Sequence, residues 1–358
     1  MKQPVPIPRA ENTLPSVTAN PWFQVPGGGR VLEGAVIDTK GCLIFSDVTG
    51  HRVMRLTPDK KLSVVVELKG LSPAGLALHK DGRIFITAVF LEPDGRGRGA
   101  VLSVSPDGTN LKEIVPAIAG YVPDDMVFDA KGGFYFTDFR GTSTEPTGGV
   151  FYVSPDCTTI TPVVRHLAKA NGIALSPDGK TLWITEYARN LLHRVELADA
   201  VTSLPVGTAI AYHFIGPAPD SMRADADGNL YVAMHRQGRF LVFNKNGIPI
   251  SQILIPGRDQ GKYMKSTSLA LSPRGPEAWL LAGDGDAGTV ITGETLRNAF
   301  PRFFRVPVNG IASLLIHYLP GTRRYFPSRR IFLIRHFSPR LNQTYPPFLN
   351  AFVVITEA

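Results

Sequence analysis

Short apolar runs separated by polar turns repeat along this chain in one pattern: a run of β-formers, a polar turn ending in glycine, and a second apolar run. Copies stand at 33–48 (EGAVIDTKGCLIFSDV), 74–89 (AGLALHKDGRIFITAV), 124–139 (DDMVFDAKGGFYFTDF), 171–186 (NGIALSPDGKTLWITE), 220–235 (DSMRADADGNLYVAMH) and 267–282 (TSLALSPRGPEAWLLA). Each predicts a β-hairpin, because β-branched and aromatic runs flank a tight turn that needs a glycine. The turn glycines, Gly41, Gly82, Gly132, Gly179, Gly228 and Gly275, are spaced by 41, 50, 47, 49 and 47 residues. That period fits a four-stranded propeller blade, since two further strands and their turns fill the remainder. Further β runs do follow the hairpins, at His51–Leu56, Ala100–Val104, Gly149–Val153, Leu191–Val195 and Arg239–Asn244. A sustained 3.6-residue apolar period is almost absent, and the stretch near Glu196–Leu204 is short and ends in proline. The expectation is an all-β fold, a six-bladed β-propeller with four-stranded blades around a central channel.

Composition supports this and locates the charge. Glycine at 35 and proline at 30 of 358 residues are too many for a helical bundle. An apolar share of 44%, with no run long enough for a membrane span, predicts a soluble globular protein. The formal charge of +8 would suggest an acidic partner, yet residues 297–358 hold nine arginines, no lysine and one acid, so the rest of the chain is neutral. Nucleic-acid binding is therefore not expected of the propeller. The expected organisation is an N-terminal extension over 1–30, the propeller over 31–296, and a basic, aromatic tail over 297–358. A tail of that composition could serve as an arm for acidic partners, or as a packed or unstructured extension. Cys42 and Cys157 form no disulfide framework or zinc spacing and read as buried thiols. The first thirty residues carry prolines and polar groups where a signal peptide would be apolar, which makes a cytoplasmic location the expectation.

Counting back eight residues from each turn glycine reaches Glu33, Ala74, Asp124, Asn171, Asp220 and Thr267, the entry to each hairpin. In a propeller these positions form a ring on the axis, and four of the six are Glu, Asp or Asn. Such residues singly tend to cap turns. In matching register they point instead to a shared cation, because facing carboxylates repel and shift their pKa values upward unless one sits between them. Oxygen ligands without histidine or cysteine favour Ca²⁺, then Mg²⁺ or Mn²⁺, over zinc. Ca²⁺ takes about 6–8 oxygens, leaving places for the Ser221 hydroxyl, water and a substrate oxygen. An open ion can polarise a carbonyl and activate water, which is the equipment of metal-assisted ester hydrolysis.

With these residues in view, the chain resembles the senescence marker protein/gluconolactonase/luciferin-regenerating-enzyme family, and most resembles its drug-responsive bacterial lactonase branch. The blocks that carry the resemblance are Leu32-Glu33-Gly34, DDMVFDAKGGFYFTDFRG (124–141), GGVFYVSPD (148–156), ANGIALS (170–176), PDS (219–221) and LVFNKNGIPISQILIPGRD (241–259), within a span from about Thr18 to about Ala287. The resemblance implies a six-bladed propeller with a catalytic Ca²⁺ held by Glu33, Asp124, Asn171, Asp220 and Ser221. It also implies hydrolysis of a small-molecule lactone with Asp220 as the proton-transferring residue. Asp125 and Asp138 are alternative proton carriers, though each reads first as a backbone-pinning group. Relatives in this branch hold a second, structural Ca²⁺, and the matching stretches here read Pro116-Ala117-Ile118-Ala119-Gly120-Tyr121 and Asp94-Gly95-Arg96-Gly97-Arg98-Gly99. Proline and arginines where carboxylates would be expected count against that second ion. No G-x-S-x-G elbow exists, so the common serine-hydrolase route is excluded. The glycine–arginine run lacks the strand–turn–helix context of a dinucleotide loop, and Asp284-Gly285-Asp286 lacks the glutamate of an EF-hand. His235 reads as a packing or surface residue that could touch substrate. The expected function is Ca²⁺-dependent lactone hydrolysis; the alternative is a non-catalytic propeller binding or scaffold module whose ion is structural.

Overall fold

The computed structural model describes residues 5–27, 31–91, 97–273, 275–283 and 288–294, together with four short strands beyond them. Six sheets succeed one another along the chain, and the expected propeller is found. In blade one, Leu32–Ile37, Leu43–Asp47, Arg52–Leu56 and Leu62–Glu67 pair antiparallel in sequence order. The other blades open with Ser72–Leu78, Pro123–Phe128, Ala170–Leu175, Pro219–Ala224 and Lys265–Leu271. Each of these first strands touches the first strand of the next blade, and Lys265–Leu271 touches Leu32–Ile37, so the ring closes on itself.

The second strand of each blade explains why the sequence reads as unbroken apolar runs. Strand side chains alternate between faces, and here both faces are covered. Leu43 and Phe45 pack toward blade six with Ala270, Leu281 and Val290, while Ile44 packs toward blade two with Leu76, Ile84 and Ile86. Phe134 and Phe136 face blade two, and Tyr135 between them faces blade four. Trp183 faces blade five, whereas its neighbours Leu182 and Ile184 face blade three.

Blade six is completed from the other end of the chain. Lys265–Leu271, Glu277–Gly283 and Gly288–Glu294 supply three strands, and Asn20–Gln24 pairs antiparallel with the last of them. Ser16–Thr18 adds a parallel fifth strand beside Pro249–Leu254 of blade five. Residues 16–24, read from sequence as part of an N-terminal extension, thus lie in strands of two blades. Their periodicity is concealed by Pro21, which an edge strand tolerates because one side of it needs no donors.

Five of the six turn glycines adopt the left-handed conformation their tight turns require, with φ between 70° at Gly179 and 99° at Gly132; Gly275 does not. Cys42 is buried as expected. Cys157 is only partly buried, because it stands in a surface turn at φ 60° rather than in a strand. Among the described residues no helix is long and apolar enough to cross a membrane. The propeller unit comprises Met1–Thr295, and a second unit comprises Leu296–Ala358. Within that second unit the structure describes Arg305–Val306 paired with Leu314–Leu315 and Ile331–Leu333 paired with Phe352–Val354. The rest of the 297–358 tail, residues 94–96 of the glycine–arginine stretch and Asp284-Gly285-Asp286 lie outside the described residues, while Gly97, Arg98 and Gly99 open the strand Gly97–Val104.

Phe45 is fully buried between blades one and six. Replacing it with alanine is expected to cost about 3–5 kcal/mol, the usual range for emptying an aromatic core site. Guanidinium unfolding checks this, and a loss well under that range would mean that the two blades are not packed as described.

Candidate metal site on the propeller axis

All six inner strands break regular pairing at the same place. The register shifts fall between Glu33 and Val36, Pro73 and Leu76, Pro123 and Met126, Ala170 and Ile173, Pro219 and Met222, and Ser266 and Leu269. A bulge re-aims the side chain it carries, and the ring positions found by counting sit at or in these bulges. Close packing of the inner strands is visible at the residues that follow. A Cβ on Gly75 would lie 2.5 Å from the Asp124 carbonyl oxygen, and one on Gly172 would lie 2.5 Å from that of Asp220. Only glycine lets one blade's backbone approach the next so nearly.

Turn capping, the ordinary work of aspartate, is done by other residues. Asp38 Oδ1 accepts the N–H groups of Lys40 and Cys42, Asp129 Oδ1 those of Lys131, Gly132 and Gly133, and Asp225 Oδ1 those of Asp227 and Asn229. The ring acids behave differently. Burial, then the charges of Asp220, Asp124 and Asp125, push Glu33 well above the usual glutamate range, with Arg223 opposing. Burial, then Asp220 and Asp125, push Asp124 up in the same way, with Lys169 opposing. Asn171 is 4% exposed, and its Oδ1 is buried without a hydrogen-bond partner. Asp220 Oδ1 accepts the Ser221 N–H at 3.1 Å, and both residues are buried.

Glu33, Asp124 and Asp220 therefore share one field, beside an orphaned amide oxygen. Among the described residues no group of three or more His, Cys, Asp or Glu side chains is drawn together as a ligand cluster, and no contact joins the Ser221 hydroxyl to the carboxylates. The donor set still fits a hard cation. It is all oxygen, it carries excess negative charge, and it includes a buried acceptor with nothing to accept from.

Two candidate proton carriers are tied down. Asp125 accepts the Met126 N–H through Oδ1 at 2.9 Å, and Oδ2 receives Arg223 Nη1 at 2.9 Å across the channel from blade five. Asp138 accepts the Val122 N–H at 2.9 Å and is clasped by Arg140. Both perform the backbone-pinning role.

His235 stands closer to a ring acid than a residue that only packs would. Its Nδ1 lies 3.3 Å from Asp220 Oδ2. Tyr187 stands 6.0 Å from the His235 ring and 5.6 Å from Phe139, and Lys169 Nζ lies 4.5 Å over Phe139. Burial and the charge of Asp220 push the Tyr187 hydroxyl up. Sequence reasoning missed Tyr187, Phe139, Lys169 and Arg223. A signal existed for the first two. The N–H groups of Phe139, Tyr187 and His235 donate to Val122, Lys169 and Ala218 carbonyls, each two residues before a ring position. The three are thus equivalent, an aromatic arc standing 7, 8 and 7 residues after Gly132, Gly179 and Gly228, which a forward count from the turn glycines finds only by allowing for one extra residue in blade four.

Fold and site together define a six-bladed propeller with an acidic, oxygen-lined axial site. Residues 31–261 match the family model described as SMP-30/Gluconolactonase/LRE-like region, and the chain belongs to this family. Lactonase drp35 of Staphylococcus saprophyticus is 48% identical over 292 residues, covering 80% of this chain and 89% of that protein. Lactonase drp35 of Staphylococcus aureus is 44% identical over 283 residues, covering 78% and 86%. Two solved structures share the fold. Luciferin-regenerating enzyme has a TM-score of 0.62 at 18% identity, over 76% of this chain and 96% of its own. The calcium-binding protein regucalcin of Agrobacterium tumefaciens has a TM-score of 0.61 at 17% identity, over 78% and 96%.

The raised pKa values have a sign that can be tested. A carboxyl whose folded pKa exceeds its unfolded one favours the fold while protonated, so the metal-free protein loses stability as pH rises from about 4 through the raised values. Asp124→Asn removes one charge and is expected to raise the metal-free melting temperature at neutral pH and flatten its fall with pH. A variant that melts lower than wild type at pH 7, with the slope intact, would contradict the shared field.

Proposed function

We propose that this protein hydrolyses a lactone at the channel mouth, with Glu33, Asp124, Asn171, Asp220 and Ser221 holding one Ca²⁺. Mg²⁺ or Mn²⁺ would suit the same oxygens less well, since Ca²⁺ accepts the irregular geometry of ligands drawn from separate blades. The observation that carries this reading is the group of mutually repelling carboxylates beside the unpartnered Asn171 oxygen. The names of the staphylococcal relatives support a lactone as the substrate class. When bound, the ion supplies Lewis acidity toward a carbonyl and lowers the pKa of water.

The chain's own residues supply the rest. Asp220 takes a proton from the attacking water through Oδ2 while Oδ1 stays on the Ser221 N–H, and it returns that proton to the ring oxygen as the C–O bond breaks. The product is a hydroxy acid, which releases one proton at neutral pH. His235 stands beside Asp220, its Nδ1 facing Oδ2. Arg223 occupies Asp125 and leaves Asp220 as the carboxylate available for proton transfer. Phe139 and Tyr187, which meet edge to face beside His235, would favour an apolar ring in the substrate.

Acid release from aromatic and aliphatic lactones, before and after chelation and with Ca²⁺ restored, tests the proposal. Chelation should abolish turnover and Ca²⁺ should recover it. Asp220→Asn should lower turnover by about 10²–10⁴-fold, the usual worth of a positioned acid–base group. Turnover indifferent to chelator would turn the reading toward a binding module with a structural ion. Normal turnover in Asp220→Asn would remove only the assigned proton carrier.

A further inference from the structure

A chain of hydroxyls links the ring residues from blade to blade. In blades two, three and four the second strand carries Thr87, Thr137 and Thr185. Thr87 Oγ1 donates to the Asp124 carbonyl oxygen at 2.5 Å, Thr137 Oγ1 to that of Asn171 at 2.6 Å, and Thr185 Oγ1 to that of Asp220 at 2.8 Å. Each acceptor is the ring residue of the following blade. Two of these hydroxyls also receive a backbone N–H from their own blade, just after its ring residue. The Asp125 N–H donates to Thr137 at 2.9 Å, and the Gly172 N–H donates to Thr185 at 2.7 Å. Each of these two hydroxyls thus donates one hydrogen bond forward and accepts one from its own blade, which fixes its orientation. The bonds lie in the bulges, where the ladder that would otherwise hold the ring residue is broken.

We infer that Thr87, Thr137 and Thr185 are positioning residues for the ion, setting where the Asp124, Asn171 and Asp220 side chains stand. The inference rests on the Ca²⁺ reading above and extends it to residues that touch neither ion nor substrate. All three hydroxyls are buried, and their acceptors are the main-chain atoms of three of the five ligands. Outer partners that orient ligating groups govern metal affinity strongly, typically by about 10–100-fold on removal.

The molecule contains its own control. Ser46 in blade one makes the same bond, donating to the Ala74 carbonyl at 2.7 Å. Ala74 occupies the ring position of blade two but has no oxygen to offer. A hydroxyl that only fastens blades together would matter alike at Ser46 and at Thr185. One that positions ligands would matter for the ion at Thr185 and not at Ser46.

The test is Ca²⁺ titration by calorimetry, with thermal melting of the metal-free protein in parallel, on Thr137→Val, Thr185→Val, Thr137→Ser, Thr185→Ser and Ser46→Ala. The valine variants should lose Ca²⁺ affinity by about 10-fold or more. The serine variants keep the hydroxyl and should bind as wild type does, and Ser46→Ala should lower the melting temperature without changing affinity. The serine variants also keep the test alive if a valine variant does not fold, since serine variants that bind weakly would overturn the inference. Wild-type affinity in both valine variants would overturn it while leaving the Ca²⁺ reading intact. An equal affinity loss in Ser46→Ala would overturn it in favour of general blade fastening. No Ca²⁺ binding by the wild-type protein would overturn both.

Discussion

Three carboxylates held in one channel repel each other, and the surrounding fold is arranged to bear that repulsion. In bulk water such charges would interact weakly, but a partly desolvated channel strengthens the field and penalises each ionised group. The protein offsets the penalty in part. Arg223 reaches across from blade five to Asp125, and its charge also lowers the burden on Glu33. Lys169, cushioned on Phe139, does the same for Asp124. These compensations are incomplete, since burial and like charge still keep Glu33 and Asp124 well above their usual range. A residual deficit of positive charge is what the proposed cation would answer: full internal pairing would leave nothing for an ion to gain.

The blades must then be rigid enough to keep the acids facing one another. Large aromatic residues on second strands fill the spaces between blades, so that Phe45, Tyr135 and Trp183 each lock one blade face onto its neighbour. Interiors packed at this density resist deformation. Rigidity alone does not aim a side chain at the axis, and this is the role of the bulges. They free the ring residue from the ladder and leave its carbonyl to be gripped by a hydroxyl from the preceding blade.

Much of this was legible in the chain. The hairpin repeat defined six blades because both faces of every second strand are buried, which writes an apolar run with a turn glycine at a constant offset. The same offset located Glu33, Asp124, Asn171 and Asp220, since a bulge recurs at one place in each inner strand. The partnering of those acids was not legible. Asp125 neighbours Asp124 in sequence, yet Arg223, which occupies it, comes from two blades away. His235 looked like a packing residue because its meeting with Asp220 depends on the exit of a strand beside the ring position. Strands 16–18 and 20–24 were hidden for a different reason: they are short edge strands containing or flanking proline, and their partners lie more than 230 residues away.

The hydroxyl chain stops between blades five and six, and the fold compensates elsewhere. Blade five has Ala233 where the threonines stand, so no hydroxyl reaches Thr267 in the same manner. Blade six joins blade one instead through its ring residue, with Thr267 Oγ1 donating to the Leu32 carbonyl at 2.6 Å and the Ala35 N–H donating to Ser268 at 3.2 Å. Glu33 is thereby held from the side that lacks a preceding threonine. The seam between blades five and six is bound from outside by the N-terminal segment, which gives Ser16–Thr18 to one and Asn20–Gln24 to the other. That segment is locked by a buried ion pair of Glu11 with Arg239, in which Tyr212 donates to Glu11 at 2.6 Å and Arg239 also donates to Gln237 and Gln252. Arg239 is fully buried, and stripping such a pair of one partner leaves an uncompensated charge at a cost of about 3–5 kcal/mol. Among the described residues, the one blade interface without a forward-donating hydroxyl is therefore the one spanned by a segment that is costly to release.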